Sequence, residues 1–149
     1  MPWLSVDPTE LTIAAGASTT VTVTLDASDA SVAQPGVYTA ALSIATDTPY
    51  QVGNVGVTMT ATAPNTWGKV AGTVTSGGAP VAGATVELGG FGGNYTLTTG
   101  ADGTYAFWLD KRNNPVTAIV AKDGFKPQTA TVKVIAGQTV TKNWVLVKK

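Results

Sequence analysis

The sequence contains no cysteine and no histidine. Their absence excludes disulfides, the usual zinc sites and any Ser-His-Asp or Cys-His nucleophile pair. Carboxylate, lysine and tyrosine chemistry is what remains. Charge is scarce as well: only 12% of the 149 residues are Asp, Glu, Lys or Arg, about half the ordinary share, which argues against a salt-laced helical protein. No apolar run approaches the ~18 residues of a membrane-spanning helix. Met1 to Pro8 lacks the basic start and apolar stretch of a signal peptide, so none is expected in these residues. What the chain does have is 44% hydrophobic residues with 17 glycines and 8 prolines. The glycines and prolines are scattered rather than clustered, as in turns between many short elements. An all-β protein is expected, with no metal and no cofactor.

The neutral total hides a division. Ala61-Thr62-Ala63-Pro64-Asn65-Thr66 breaks the alternating pattern and marks a boundary, giving domains at 1–64 and 65–149. The first carries Asp7, Glu10, Asp26, Asp29 and Asp47 with no Lys or Arg, a charge of −5. The second holds all nine basic residues against Glu87, Asp102, Asp110 and Asp123, a charge of +5. Such a split fits chance drift between small domains, mutual attraction, or copies meeting head to tail. The basic residues are dispersed without interleaved aromatics, so no nucleic-acid partner is expected.

In the first domain Val21, Val23 and Leu25 alternate with threonines, and Tyr38, Ala40, Leu42 and Ile44 share one face. Both runs have the period of a strand with a single buried face. Leu11, Ile13, Val52, Val55, Val57 and Met59 supply further candidates. Five to seven short strands in about 60 residues predict a small immunoglobulin-like sandwich. The segments Trp3-Leu4-Ser5-Val6-Asp7-Pro8, Ala15 to Asp26, and Pro35-Gly36-Val37-Tyr38 through Thr48-Pro49 resemble the bacterial BACON-type immunoglobulin-like repeat. Their Pro, Gly, Trp and Tyr residues then serve turns and packing, not catalysis.

In the second domain Val70 to Val74 and Val81 to Leu88 read as strands around the turn Ser76-Gly77-Gly78-Ala79-Pro80. Asp102-Gly103 between two alternating segments reads as a hairpin signal. Val116 to Ala121, Thr129 to Val134 and Thr139 to Val147 complete a second sandwich of about seven strands. Gly72-Thr73-Val74, Pro80 to Val86, Thr99 to Phe107, Lys122-Asp123-Gly124-Phe125 and Gly137 to Leu146 resemble, in order, the carboxypeptidase regulatory-like domain, a transthyretin-like sandwich. The two modules together, with Phe107-Trp108-Leu109-Asp110 and Asn114-Pro115, resemble the tails of secreted bacterial subtilisin-like peptidases. That resemblance implies a non-catalytic accessory role outside the cell or at its surface.

Three aromatics are candidate surface contacts. Alternation sets Tyr105, Phe107 and Leu109 on one face and Trp108 on the other, where it either contacts a ligand or is covered by neighbouring residues. The stretch Gly89-Gly90-Phe91-Gly92-Gly93-Asn94-Tyr95 reads as a flexible loop that presents Phe91 and Tyr95, or packs them back onto the sandwich. No Lys-Ser/Thr follows to make it a phosphate cradle. Asp26 with Asp29, or Asp102 with Asp110, are best read as turn formers, and no calcium-loop spacing occurs. Surface domains of this kind can hold an internal Lys-Asn bond. Lys69, Asn143 and Glu87 are the nearest residues, but they depart from the usual arrangement and no bond is expected. Asn94-Tyr95-Thr96 is a formal glycosylation sequon. Three roles follow: a spacer, stabiliser or adhesive tail beside other domains of a secreted protein; a subunit of a fibre built from copies of itself; or a polysaccharide-binding module using Phe91, Tyr95 and Trp108.

Overall fold

Runs of Val, Thr and Ala punctuated by Gly, Pro and Asp turns form thirteen β-strands and one 3-10 turn in the computed structural model, which describes residues 1–149. The strands are β1 (Leu4–Asp7), β2 (Thr22–Leu25), β3 (Gly36–Leu42), β4 (Val55–Ala61), β5 (Trp67–Ser76), β6 (Ala79–Pro80), β7 (Thr85–Gly90), β8 (Gly93–Thr98), β9 (Thr104–Asp110), β10 (Val116–Ala121), β11 (Gln128–Val132), β12 (Thr139–Thr141) and β13 (Trp144–Val145); the 3-10 turn spans Lys111–Asn113. They divide into two units, Met1–Thr62 and Ala63–Lys149. The all-β class is as expected.

The first unit has two antiparallel pairs, β1 with β2 and β3 with β4. That is four strands rather than five to seven, because Leu11, Ile13 and Val52 lie outside any strand. Tyr38, Ala40 and Leu42 do face inward, opposite Met59, Val57 and Val55. Trp3 is buried edge-on to Tyr38, ring centroids 6.2 Å apart, and Tyr38 Oη donates to the Gln34 carbonyl at 2.6 Å. The expected buried face of Val21, Val23 and Leu25 is absent: all three are about 40% exposed. β2 is paired only with the four-residue β1, and a small unit has little surface to spare for covering it further.

The second unit is a sandwich of nine strands. One sheet has the order β11-β10-β7-β8, all antiparallel; the other is centred on β5, with β9 and β6 antiparallel on one side and β12 and β13 parallel on the other. β10 alternates buried Val116, Ala118 and Val120 with exposed Thr117, Ile119 and Ala121, as period-two patterning requires. Together with Val70, Val74, Val86, Leu88, Tyr105, Leu109, Val132, Trp144 and Leu146 they form one core. Each fully buried Val or Leu contributes about 1.5–3 kcal/mol. Asp102-Gly103 makes a turn but not a hairpin, since β8 and β9 belong to different sheets. Gly103 (φ +73°) passes between them, its carbonyl accepting from Val74 N at 2.8 Å, while Asp102 Oδ1 accepts from Thr104 N and Oγ1.

The parallel ladder between β5 and the C-terminal strands keeps one register, Val140 beside Val70 and Trp144 beside Val74, and breaks only at Lys142 and Asn143. There the Lys142 carbonyl turns inward to accept from Tyr105 Oη at 2.6 Å, and Trp144 Nε1 donates to the same hydroxyl at 3.0 Å. Burial raises the Tyr105 pKa, opposed by the bond from Trp144. Asn143 Oδ1 replaces the lost ladder acceptor by taking Thr73 N at 3.0 Å. The turned carbonyl sits where a side chain at position 72 would begin, so Gly72 is required there. Gly72→Ala is therefore expected to lower stability by about 1–3 kcal/mol, as overpacking typically does. Gly56→Ala, which meets nothing within 4 Å, should stay within about 1 kcal/mol of the parent. Calorimetric unfolding of both variants checks the contrast.

Candidate functional site

The glycine-rich stretch is not a loop. β7 runs through Gly90 and β8 begins at Gly93, so a tight hairpin with only Phe91 and Gly92 at its tip replaces the expected flexible segment. Its conformation is fixed from the neighbouring sheet edge. Asn113 Oδ1 accepts from Gly92 N at 2.7 Å, the Asn113 carbonyl accepts from Phe91 N at 3.3 Å, and Asn113 itself is buried. Side chains at positions 90 and 92 would collide with Asn113, which is why both are glycine.

Asn113 is in turn held by the end of β9. Its Nδ2 donates to the Asp110 carbonyl at 3.0 Å. The Asp110 carboxylate caps the 3-10 turn by accepting from Arg112 N at 2.9 Å, and receives Arg112 Nη2 at 2.6 Å and Thr66 Oγ1 at 2.9 Å. Hydrogen bonds from the Arg112 guanidinium, followed by its backbone N–H, hold the Asp110 carboxyl well below the usual carboxylate range; the same pairing raises Arg112. Asn114 pins the next segment, accepting from Val134 N at 2.7 Å and donating to its carbonyl at 2.8 Å.

This clamp sets one end of a cleft of about 480 Å³ on the outer face of the four-stranded sheet. Asn94, Gly89 and Thr117 form one row across β8, β7 and β10, and Glu87 and Ile119 stand side by side in the next. Phe91, at the hairpin tip and 84% exposed, and Pro115 close the end nearest the clamp. Gly89 has no side chain of its own, and the Asn94 side chain leans over it: a Cβ there would come within 2.8 Å of the movable Asn94 Oδ1 and within 4 Å of the Thr117 carbonyl. The residues are therefore an exposed aromatic, an aliphatic side chain, a carboxylate, an amide and a hydroxyl around an open glycine.

The three aromatics singled out from the sequence are not brought together. Phe91 lies on this cleft. Tyr95 pairs with Leu88 and faces inward, its ring 5.0 Å from that of Phe107. Trp108 lies on the outer face of the other sheet, half-buried, with Lys69 Nζ 6.0 Å from its ring. Lys69, Asn143 and Glu87 are likewise separate. Asn143 binds Thr73, four residues or about 13 Å along β5 from Lys69, and Glu87 is on the opposite sheet. The candidate carboxylates are turn formers. Asp26 and Asp102 accept from Ser28 and Thr104 two residues on, and those side-chain and then backbone bonds lower their pKa values. Sequence reasoning passed over Glu87, Gly89, Asn94, Thr117 and Ile119 as a group. The alternation of β7 and β10 carries the signal, but only the pairing register joins it.

Residues 69–147, just over half of the chain, match the carboxypeptidase regulatory-like domain, and the chain belongs to that family. Among solved structures, the Bacillus anthracis TIE protein is similar at 16% identity and a TM-score of 0.47, over 64% of this chain. The chain spans 19% of the length of that structure. No curated protein matches the sequence.

Because the folded Asp110 carboxyl titrates below its unfolded value of about 3.9, its contribution is fully present above that pH and is lost as pH falls through the folded value. Asp110→Asn is expected to lower the melting temperature at pH 7, with the deficit shrinking as pH falls below about 4, where the unfolded parent takes up a proton that the folded carboxylate still resists. Melting curves across pH 2–7 test this.

Proposed function

We propose that the chain is a non-catalytic accessory tandem of an extracellular bacterial protein, acting as spacer, stabiliser or adhesive tail. The observation that carries this reading is how the second unit uses its polar side chains. Asp110, Asn113, Asn114, Asn143, Thr99 and Tyr105 all bind backbone groups of the fold itself. They fix turns and close the ladder, which is structural work. Membership in the carboxypeptidase regulatory-like family, whose domains are non-catalytic, supports it. The likeness of residues 1–64 to BACON-type repeats, and of the pair to tails of secreted subtilisin-like peptidases, supplies the extracellular setting as part of the same proposal.

A second reading, self-assembly into a fibre, draws on the exposed Val21, Val23 and Leu25 and the two-stranded sheets of the first unit, together with the −5 and +5 halves. Unpaired strand edges are templates for pairing between chains. Two measurements on the purified chain decide. Incubation with peptide and glycoside substrates is expected to give no turnover, and turnover would overturn the accessory reading. Light scattering is expected to report a monomer at both low and high salt; growth of large species at low salt would replace the accessory reading with the fibre.

A further inference from the structure

The cleft on the outer face of β7, β8 and β10 has features that neither turn formation nor core packing explains. Strands lie about 4.8 Å apart, so Asn94 and Thr117 flank Gly89 from roughly 10 Å across. Gly89 is extended, with no positive φ, and a Cβ there would press only on the end of the Asn94 side chain. Neither backbone strain nor close backbone approach demands glycine at this position; its effect is a floor without a side chain of its own, covered only by the end of the rotatable Asn94 side chain. Around that position, the side chains of Glu87, Asn94 and Thr117 make no hydrogen bond within the protein, their backbones being engaged in the ladders. Phe91 is 84% exposed yet held in place by the Asn113 clamp through both residues of the hairpin tip. An aromatic ring this exposed on a backbone this restrained is presented at little entropic cost.

The donor set limits what fits. β7, which carries Glu87 and Gly89, is paired on both sides, to β8 and β10, so its backbone groups are engaged and an extended peptide cannot add a strand along β7. Recognition falls to side chains: a carboxylate that accepts, an amide that does both, and a hydroxyl that does both. Such a set complements adjacent hydroxyl groups. Phe91, Pro115 and Ile119 offer an apolar surface for a ring face carrying C–H groups. The single charge lining the cleft is the Glu87 carboxylate, which repels uronates, phosphates and sulfates. The volume, about 480 Å³, lies within the range of small-ligand sites, about 300–1,000 Å³.

We infer that Glu87, Gly89, Phe91, Asn94, Thr117 and Ile119 form a binding site for a neutral pyranose unit of a polysaccharide. The ring lies over Gly89 with its C–H face toward Phe91, and Glu87 and Asn94 take its hydroxyls. The site deepens the accessory reading, on which it rests, by giving an adhesive tail its contact surface; Tyr95 and Trp108 take no part.

The test is a titration of the full 149-residue chain, ¹⁵N-labelled, with cellohexaose, maltohexaose, hexagalacturonate and a proline-rich decapeptide, following backbone amide shifts. At least one neutral hexasaccharide is expected to shift Gly89, Gly90, Asn94 and Thr117 saturably. Affinity should fall at least tenfold in Phe91→Ala, which removes an exposed ring, and in Gly89→Val, which fills the floor; native spectral dispersion in each shows that folding is retained. Glu87→Gln should weaken binding less, because the amide still accepts. The site is overturned if neither neutral oligosaccharide shifts these amides at about 10 mM, a concentration that reveals even millimolar affinity. It is equally overturned if only the galacturonate or the peptide binds there, or if Phe91→Ala and Gly89→Val both bind like the parent. Reducing ends are assayed in the same tubes: their release overturns the non-catalytic reading, whereas absent shifts without release overturn the site alone.

Discussion

A carbonyl that leaves a β-ladder must find another donor, and the ladder must find another acceptor. At Lys142 both demands are met by neighbours. Tyr105 Oη takes the inward-turned carbonyl and Asn143 Oδ1 takes the vacated Thr73 N–H. Gly72 provides the room. The break also places Trp144 so that its indole N–H reaches the same hydroxyl while its ring enters the core. Lys142 Nζ then lies over that ring, 4.7 Å from its centroid, a favourable cation–π placement. One hydroxyl on β9 thus fixes both Lys142 and Trp144, at the break in the parallel closure of the sheet around β5. A buried hydroxyl with all its partners in place specifies a single packing, because any alternative strands a polar group away from water.

The second unit applies the same logic at its other end. Asp110 ties Thr66 and Arg112 together, Asn113 hangs from the Asp110 carbonyl, and the hairpin tip hangs from Asn113. Thr99 does comparable work inside, accepting from Ala84 N and donating to the Val81 carbonyl while almost wholly buried. Outer surfaces are therefore positioned by polar contacts that reach back into the frame. The first unit differs in kind: Trp3 and Met59 are its only buried hydrophobic side chains, and its long-range order rests on two short antiparallel pairs.

How much of this was legible in the sequence varies with the physical range of each interaction. Alternation in Val116 to Ala121 and Tyr105 to Leu109 states directly which side chains enter the core, because period two is a local property of the backbone. The same pattern in Val21 to Leu25 misleads, since alternation states which residues share a face but not whether another layer covers it. Asp102-Gly103 announces a turn, yet whether a turn joins strands of one sheet or two is decided by distant pairing. Gly89 to Gly93 reads as a loop from composition; Gly90 and Gly92 instead accommodate Asn113, more than 20 residues away, and no local rule connects them. Of the candidate site only Phe91 was visible. Glu87, Asn94 and Thr117 are unremarkable polar residues until the register aligns them.

The strand that opens the second unit and the strands that end it run side by side in the same direction, held by one set of hydrogen bonds from Lys69 to Thr75. The polypeptide enters this sheet at one end of that seam and departs at the other. Tension along the chain consequently loads the bonds of the seam in shear, all at once, instead of peeling them apart in succession. A module wired in this way resists stretching better than a hairpin of equal stability.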